Sequence, residues 1–494
     1  MNTTPDEAAE PGKSSRSRNF WIAIAVVTTL AAWLRAIALN AGLWWDEIYF
    51  LVVSVRHPLW QIVTVFPGDN QHPLYSVLAW LSVGAFGEHA WTLRLPAYLF
   101  GVATIPMLYL LGITVTSRRE AFLAASFVAV SYHHVWFSQD ARGYSMLAFF
   151  AITSTYFLLR AIRTERRSFW IGYALAAAFG AYTHLTMMFL LASHFLICLA
   201  VLWSGRGNRA GSARWKLPLQ ALLLTAMITL VLYAPILTQV QNFFLHRPSS
   251  MKAVSTPRWA LGEAIRVLIV GLGTQGILLV VGFVVLCGAW SYWKENRVVF
   301  ASFALPAVFT ALGALLSRGT MYPRFYFYLI GFAVLILVRG VFVIPAWIAA
   351  RFPGSAARLT PALQAVFAVA ILAASAVSLE RNYKYPKQDF EGAMRFVNAA
   401  KGADDIVVTA GASTYPYDEY YAARWESAET ADRLREMCRR GKNVWIVYTF
   451  PRYLEAGLPE IDKMVHTDFS PVRTFPGTVG DGDVFVSEFQ PGVK

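Results

Sequence analysis

Apolar runs long enough to cross a bilayer recur along the chain from Phe20 to about residue 379, separated by short polar segments. Each run approaches the roughly 17–25 residues that a membrane-spanning helix requires. The pattern predicts spans at 20–39, 93–116, 121–138, 143–162, 168–184, 187–203, 217–237, 264–291, 299–316, 325–346 and 361–379. The stretch 72–87 is shorter and bounded by His72-Pro73 and Gly87-Glu88, which suits an interfacial or re-entrant helix. After residue 380 the periodicity changes. Short apolar runs at 405–410, 443–449 and 483–489 read as buried strands, and helical patterns at 389–400 and 429–440 alternate with them. Gly477 to Gly482 reads as a hairpin turn, not a phosphate cradle. The expected fold is a mainly α polytopic membrane protein of about 11 transmembrane helices with a small C-terminal α/β soluble domain. Its expected parts are an N-terminal segment 1–19, a transmembrane domain 20–379 with a long first outer loop 40–92, and a unit 380–494.

Charge orients this arrangement. The polar segments hold the basic residues: Arg118-Arg119, Arg160 to Arg167, Arg206 to Lys216, Lys294 to Arg297 and Arg351 to Arg358. With a cytoplasmic N-terminus, all of them fall on the cytoplasmic side, as the positive-inside rule requires. The scheme places the first loop, residues 139–143, His184, the loop 239–263, residues 317–324 and the tail on the other, periplasmic face. Composition agrees: 56% of the 494 residues are hydrophobic and 15% charged, where soluble proteins carry about 25% charged. The net charge of +13 therefore reflects topology, and without a basic stripe on a soluble domain it does not point to nucleic acid. Cys198, Cys287 and Cys438 have no disulfide or metal spacing. Arg16 and Arg18 precede the first apolar run, but no convincing cleavage site follows, so that helix reads as retained.

Candidate chemistry gathers in the outer segments. Leu43-Trp44-Trp45-Asp46-Glu47 follows the first span; it reads either as an interfacial tryptophan belt with a solvated acidic cap, or as a general base or cation-binding pair. Ser138-Gln139-Asp140-Ala141-Arg142-Gly143-Tyr144 reads either as a local ion pair or as a phosphate-binding fork beside an acidic residue. Arg247 and Arg324, cations on the outer face, either snorkel to headgroups or meet an anionic partner. His57, His72, His133, His134 and His184 share this layer without the i, i+4 spacing of a zinc helix.

Taken together these segments resemble the GT-C superfamily of membrane glycosyltransferases, in particular the bacterial branch with protein O-mannosyltransferases and lipid A aminoarabinose transferases. The matching pieces are Trp45-Asp46-Glu47, His72-Pro73-Leu74-Tyr75, Leu93-Arg94-Leu95-Pro96, Ala141-Arg142-Gly143-Tyr144 and Arg324-Phe325-Tyr326, spread over residues 20–346. The resemblance implies a polyprenyl-phosphate sugar donor, a lipid, glycan or protein acceptor, and inversion at the anomeric carbon. It implies Asp46, Glu47 and Asp140 as catalytic residues, Arg142, Tyr144, Arg324 and Arg247 at the donor phosphate, and His72 and Tyr75 as substrate-positioning residues. A divalent cation (Mg or Mn) stays open, and the metal ligands are unknown. The chain departs from the common pattern at two places, His72 where the first proline of Pro-Pro-Leu-Tyr is usual and Gly143 where a bulkier residue or proline is common. Two alternatives stand beside this reading, a transporter or lipid flippase, and an inactive glycosyltransferase-like subunit. The absence of a paired repeat weighs against a transporter.

Overall fold

The computed structural model describes residues 11–68, 71–204, 213–246, 257–272, 275–316, 322–352, 354–440 and 442–492. The first part of the chain is helical: α1 (Pro11–Ala36), α2 (Trp45–Phe50), α3 (Leu59–Thr64), α4 (Pro73–Phe86), α5 (Ala90–Val115), α6 (Arg118–Ala129), α7 (Tyr132–Ser138), α8 (Tyr144–Thr164) and α9 (Arg167–Thr183). Further long helices span Ala213–Tyr233, Gln275–Glu295, Arg297–Leu316, Ile330–Ala349 and Ala356–Lys384. Among the described residues, seven helices are long and apolar enough to cross a membrane, and they fall on seven of the eleven expected spans. Helices such as Ala356–Lys384 expose Val366, Val369 and Val377 along one side. So broad an apolar surface suits a hydrocarbon surround rather than water.

Two expected spans, one of them among those seven, are each divided into two helices. The run 121–138 is broken at Val130 into α6 and α7. The run 264–291 is two helices, Pro257–Leu272 and Gln275–Glu295, and the first of them, with Glu263 and Arg266, is charged on one side. The first outer loop is not loose: α2 continues into a π-helical turn, Leu51–Val55, followed by α3 and α4. At 14 residues α4 is about 21 Å long, short of the roughly 30 Å hydrocarbon. Tyr75 and Ser82 of α4 both bond the first turn of α5, through the carbonyls of Leu93 and Thr92. These bonds anchor α4 to the end of α5.

The bundle core is made by α5, α6, α8 and the helix Ile330–Ala349, where Leu108, Ala121, Ala125, Leu147, Phe332 and Leu335 are buried together. Small residues let the backbones approach, as membrane helices require in the absence of a hydrophobic drive between them. A Cβ at Gly288 would strike the Ile336 carbonyl and one at Gly340 the Val284 carbonyl, so those two helices meet backbone to backbone.

The C-terminal unit is a five-stranded sheet of order β2-β1-β3-β5-β4. Its strands are β1 (Ile406–Ala410), β2 (Glu426–Ala428), β3 (Val444–Thr449), β4 (Ser470–Phe475) and β5 (Val484–Phe489). β1, β2 and β3 run parallel, while β4 and β5 form an antiparallel hairpin. The expected strands are β1, β3 and β5. β2 is three residues long and β4 is largely exposed, so neither shows a buried apolar run.

Candidate active site

α2 begins at an N-cap, Trp44, whose backbone N–H donates to Glu47 Oε2 at 3.3 Å. A carboxylate at the third helical position reaching back in this way is half of a capping box. It places Asp46 and Glu47 side by side in the first turn. Successive residues on a helix point roughly 100° apart, so the two carboxylates meet different surroundings.

Glu47 turns inward and is fully buried. Arg94, at the start of α5, grips it through both ends of the guanidinium, Nε to Oε1 at 2.8 Å and Nη2 to Oε2 at 2.6 Å. The Ala141 N–H adds a third bond at 2.7 Å. The remaining Arg94 donors go to the carbonyls of Leu39, Ala41 and Gly42. Burial alone would raise the Glu47 carboxyl, but Arg94, Lys387 and these donors together hold it below its usual value. Both oxygens of Glu47, expected from the resemblance to be catalytic, are engaged by the fold, and the residue ties α2, α5 and the turn before α8 together.

Asp46 faces the other way and is 12% exposed at its side chain. Its Oδ2 accepts from Arg142 Nη1 at 3.1 Å and from Arg324 Nη1 at 3.1 Å. One carboxylate between two guanidiniums leaves the trio with an excess positive charge. Arg142 also donates from Nε to His72 Nε2 at 3.2 Å, which fixes His72 as a neutral imidazole with its proton on Nδ1. Burial, then the Arg142 charge, keep His72 well below its usual range, and the same causes lower the neighbouring His184 to about 3. The His72 ring lies 4.7 Å from His184 and 5.0 Å from Tyr144.

The two departures from the family pattern explain each other. A Cβ at Gly143 would lie 2.8 Å from His72 Nδ1 and 3.0 Å from Thr183 Cγ2. The imidazole therefore occupies the space that a larger residue at 143 would need.

Asp140 completes the layer. Its Oδ1 accepts from Trp44 Nε1 at 2.8 Å, and burial raises it to about 6, against the pull of Lys387. Lys387, in the segment joining the last helix to the sheet, lies 3.8 Å from Glu47 Oε1 and 4.0 Å from Asp140 Oδ1 and donates to the Gln139 carbonyl. Four polar atoms of this layer are buried without a partner: Asp140 Oδ2, His72 Nδ1, Tyr144 Oη and Arg324 Nε. Buried polar atoms are normally satisfied, so unsatisfied ones in adjoining residues mark a place for a polar ligand.

The structure thus brings Asp46, Asp140, Arg142, Tyr144, Arg324 and His72 together from four stretches of the chain. Tyr75 is separate: its hydroxyl bonds the Leu93 carbonyl and its ring packs on Phe50 at 5.7 Å. Arg247 lies outside the described residues. Arg94 stands in the Leu93-Arg94-Leu95-Pro96 match without a role assigned from the sequence, and Lys387 is not named there at all. An arginine just inside an apolar helix is a signal for the first, whereas a lysine in a polar linker gives none for the second. Asp46 and Glu47 each face guanidinium groups, and among the described residues no three His, Cys, Asp or Glu side chains are grouped to hold a metal ion.

The site lies at one end of the bundle. α5 is about 39 Å long and leads from the end that holds Arg94 to the Arg118-Arg119 turn, and α8 runs from Tyr144 to Arg163, so these two basic segments sit at the opposite end.

Residues 70–238 match the family model described as dolichyl-phosphate-mannose-protein mannosyltransferase. ArnT from Cupriavidus metallidurans in the apo state aligns with a TM-score of 0.51 and 13% identity, over 96% of this chain and 98% of that one. The oligosaccharyltransferase AglB from Archaeoglobus fulgidus, in complex with an inhibitory peptide and a dolichol-phosphate, aligns with a TM-score of 0.52 and 11% identity, over 97% of this chain and 75% of that one. No curated protein matches in sequence. The chain has the multi-pass GT-C fold of these membrane glycosyltransferases and resembles the mannosyltransferase family across residues 70–238.

Proposed function

We propose that this protein transfers a sugar from a polyprenyl-phosphate donor to a hydroxyl acceptor (lipid, glycan or protein), with inversion, at the periplasmic face of a bacterial inner membrane. The observation that carries this reading is the single carboxylate oxygen of Asp46 shared by Arg142 and Arg324. A carboxylate held between two arginines at the rim of an apolar bundle is built to exchange partners when an anionic lipid arrives. The mannosyltransferase family model and the dolichol-phosphate in AglB support a lipid-phosphate donor. The basic segments at the far end of the helices support a cytoplasmic N-terminus and an outward-facing site.

In this mechanism the donor phosphate draws Arg142 and Arg324 onto its oxygens, and Asp46 is released from part of its pairing. The acceptor hydroxyl gives its proton to Asp46 as its oxygen attacks the anomeric carbon from the side opposite the phosphate. The bond from that carbon to the phosphate oxygen breaks with both electrons staying on the phosphate. The two arginines stabilise this growing charge, and polyprenyl phosphate leaves. Removing one such preorganised donor typically slows catalysis about 10²–10³-fold.

The test is transfer by purified protein in lipid, supplied with polyprenyl-phosphate sugars and scored by mass spectrometry. Asp46→Asn is expected to abolish transfer while keeping the folded protein, and Arg142→Ala and Arg324→Ala each to slow it about 10²-fold. Full activity of Asp46→Asn would remove Asp46 from the mechanism.

A further inference from the structure

The segment that joins the membrane bundle to the sheet does more than connect them. Lys387 is 8% exposed, with Nζ held between Glu47 and Asp140 and 4.9 Å from the Trp136 ring. Its neighbour Gln388 accepts from the Trp45 N–H at 2.9 Å and donates to Thr449 Oγ1 on β3 at 3.1 Å. The β4–β5 hairpin loop closes over the same segment. Thr478 N–H donates to the Pro386 carbonyl at 3.0 Å, Val479 N–H to the Lys387 carbonyl at 3.2 Å, and Trp136 Nε1 to Thr478 Oγ1 at 2.9 Å. Trp45 Nε1 reaches the Ala412 carbonyl beyond β1 at 2.9 Å. Both residues flanking the Asp46 side of the site, Trp44 and Trp45, are therefore tied to Asp140 or to the C-terminal unit.

From this we propose that the C-terminal sheet unit completes the active site, and that Lys387 is a positioning residue that keeps Asp140 ionised so that Asp140 can serve a bound polar ligand. Lys387 is buried with one carbonyl and two carboxylates and acts on both, but Glu47 is also gripped at both oxygens by Arg94, so Asp140 is the carboxylate that leans on Lys387 most. The field at Asp140 is set by Lys387, Glu47, Arg142 and Arg94, with Tyr75 and Tyr144 as the other titratable neighbours. Of the cations among them, Arg94 is committed to Glu47 and Arg142 to Asp46. Lys387 remains the cation nearest Asp140 from the C-terminal unit. Its expected effect on transfer rests on the function proposed above; its effect on Asp140 does not.

The experiment has two arms on the full-length protein in lipid. In the first, the pH-dependent infrared band of protonated Asp140 is identified by its loss in Asp140→Asn and followed in Lys387→Met and Lys387→Arg. The proposal expects the band to persist to pH values at least one unit higher in Lys387→Met and to return towards the wild-type position in Lys387→Arg. In the second, Lys387→Met is expected to slow transfer at neutral pH at least 10-fold and to move the acid limb of its pH profile upward, with Lys387→Arg recovering most of both. An unmoved Asp140 band, or a wild-type rate and profile in Lys387→Met, overturns the proposal. A wild-type protein inactive on every donor counts against the transferase reading alone, and the infrared arm then decides the role of the lysine.

Discussion

Asp46 and Glu47 are adjacent in sequence, yet one faces two exchangeable arginines and the other is welded into the fold. Truncating one partner of a buried pair leaves a charge without compensation, which costs roughly 3–5 kcal/mol. Glu47→Gln is therefore expected to destabilise the protein by about that amount, by stranding Arg94. Asp46→Asn also unpairs the buried Arg142, but Asp46 is 12% exposed at its side chain and its second partner Arg324 is 30% exposed, so it should change the unfolding temperature less. Thermal unfolding in detergent separates the two, and equal losses would contradict the division of labour. A second residue-scale prediction concerns Gly143. Gly143→Ala should displace His72 and slow transfer, because the added methyl lies 2.8 Å from His72 Nδ1. With His72→Ala also present the clash disappears, so the double variant should be less impaired than the sum of the two singles. An additive double-mutant cycle would show that the two positions are independent. The acidic pair and Arg142 were legible as charges at the outer ends of apolar runs, and their division was not. Adjacent letters do not say which face of a helix each will present.

At the scale of elements, the break between α6 and α7 is the clearest case of packing overriding pattern. Residues 121–138 read as one continuous apolar run, but Arg35 of α1 enters at Val130. Its guanidinium donates to the carbonyls of Ala31, Ala129 and Val128, to Ser138 Oγ at 3.1 Å, and contacts His134 Nδ1 at 2.8 Å. A cation at the C-terminal end of α6 also meets the negative end of its dipole. The freed carbonyls could not be left bare in hydrocarbon; Arg35 satisfies those of Val128 and Ala129, and Ser375 Oγ donates to that of Val130. Arg35→Leu should then destabilise the bundle by on the order of 3 kcal/mol, since buried acceptors lose their donors at about 1–3 kcal/mol each. Hydrogen exchange should rise first at the amides of 128–138. Unchanged exchange there would mean that the break is held by something else. A sequence pattern records where α6 and α7 are apolar, while a donor arriving from a distant helix is outside its reach.

At the scale of the whole molecule, the C-terminal unit and the bundle share one charged layer, and this layer has a pH signature. Between roughly pH 4 and 6 the folded chain keeps a proton on Asp140 that the unfolded chain releases, so this group makes stability fall as pH rises through that window. Lys387 is lowered by burial to about 8, so above that pH the folded chain has lost a proton the unfolded chain still holds. Its contribution makes stability rise with pH up to roughly 10. A series of unfolding temperatures should show Asp140→Asn removing the first slope and Lys387→Met the second. If neither variant alters its slope, the two groups do not titrate as their burial requires.

The sequence by itself determined the solvent of the chain, the apolar helices, the three main strands of the C-terminal unit and the cluster of charge at one end of the helices. These follow from composition and periodicity, which are local properties that every window of the chain carries. Only the tertiary structure decided that Arg324 and Arg142 meet on one oxygen of Asp46, that Glu47 belongs to Arg94, that Tyr75 stays in the core, and that Lys387 reaches the site. Those are contacts between segments up to hundreds of residues apart. Their partners are selected by distance and burial in three dimensions, which no local pattern encodes.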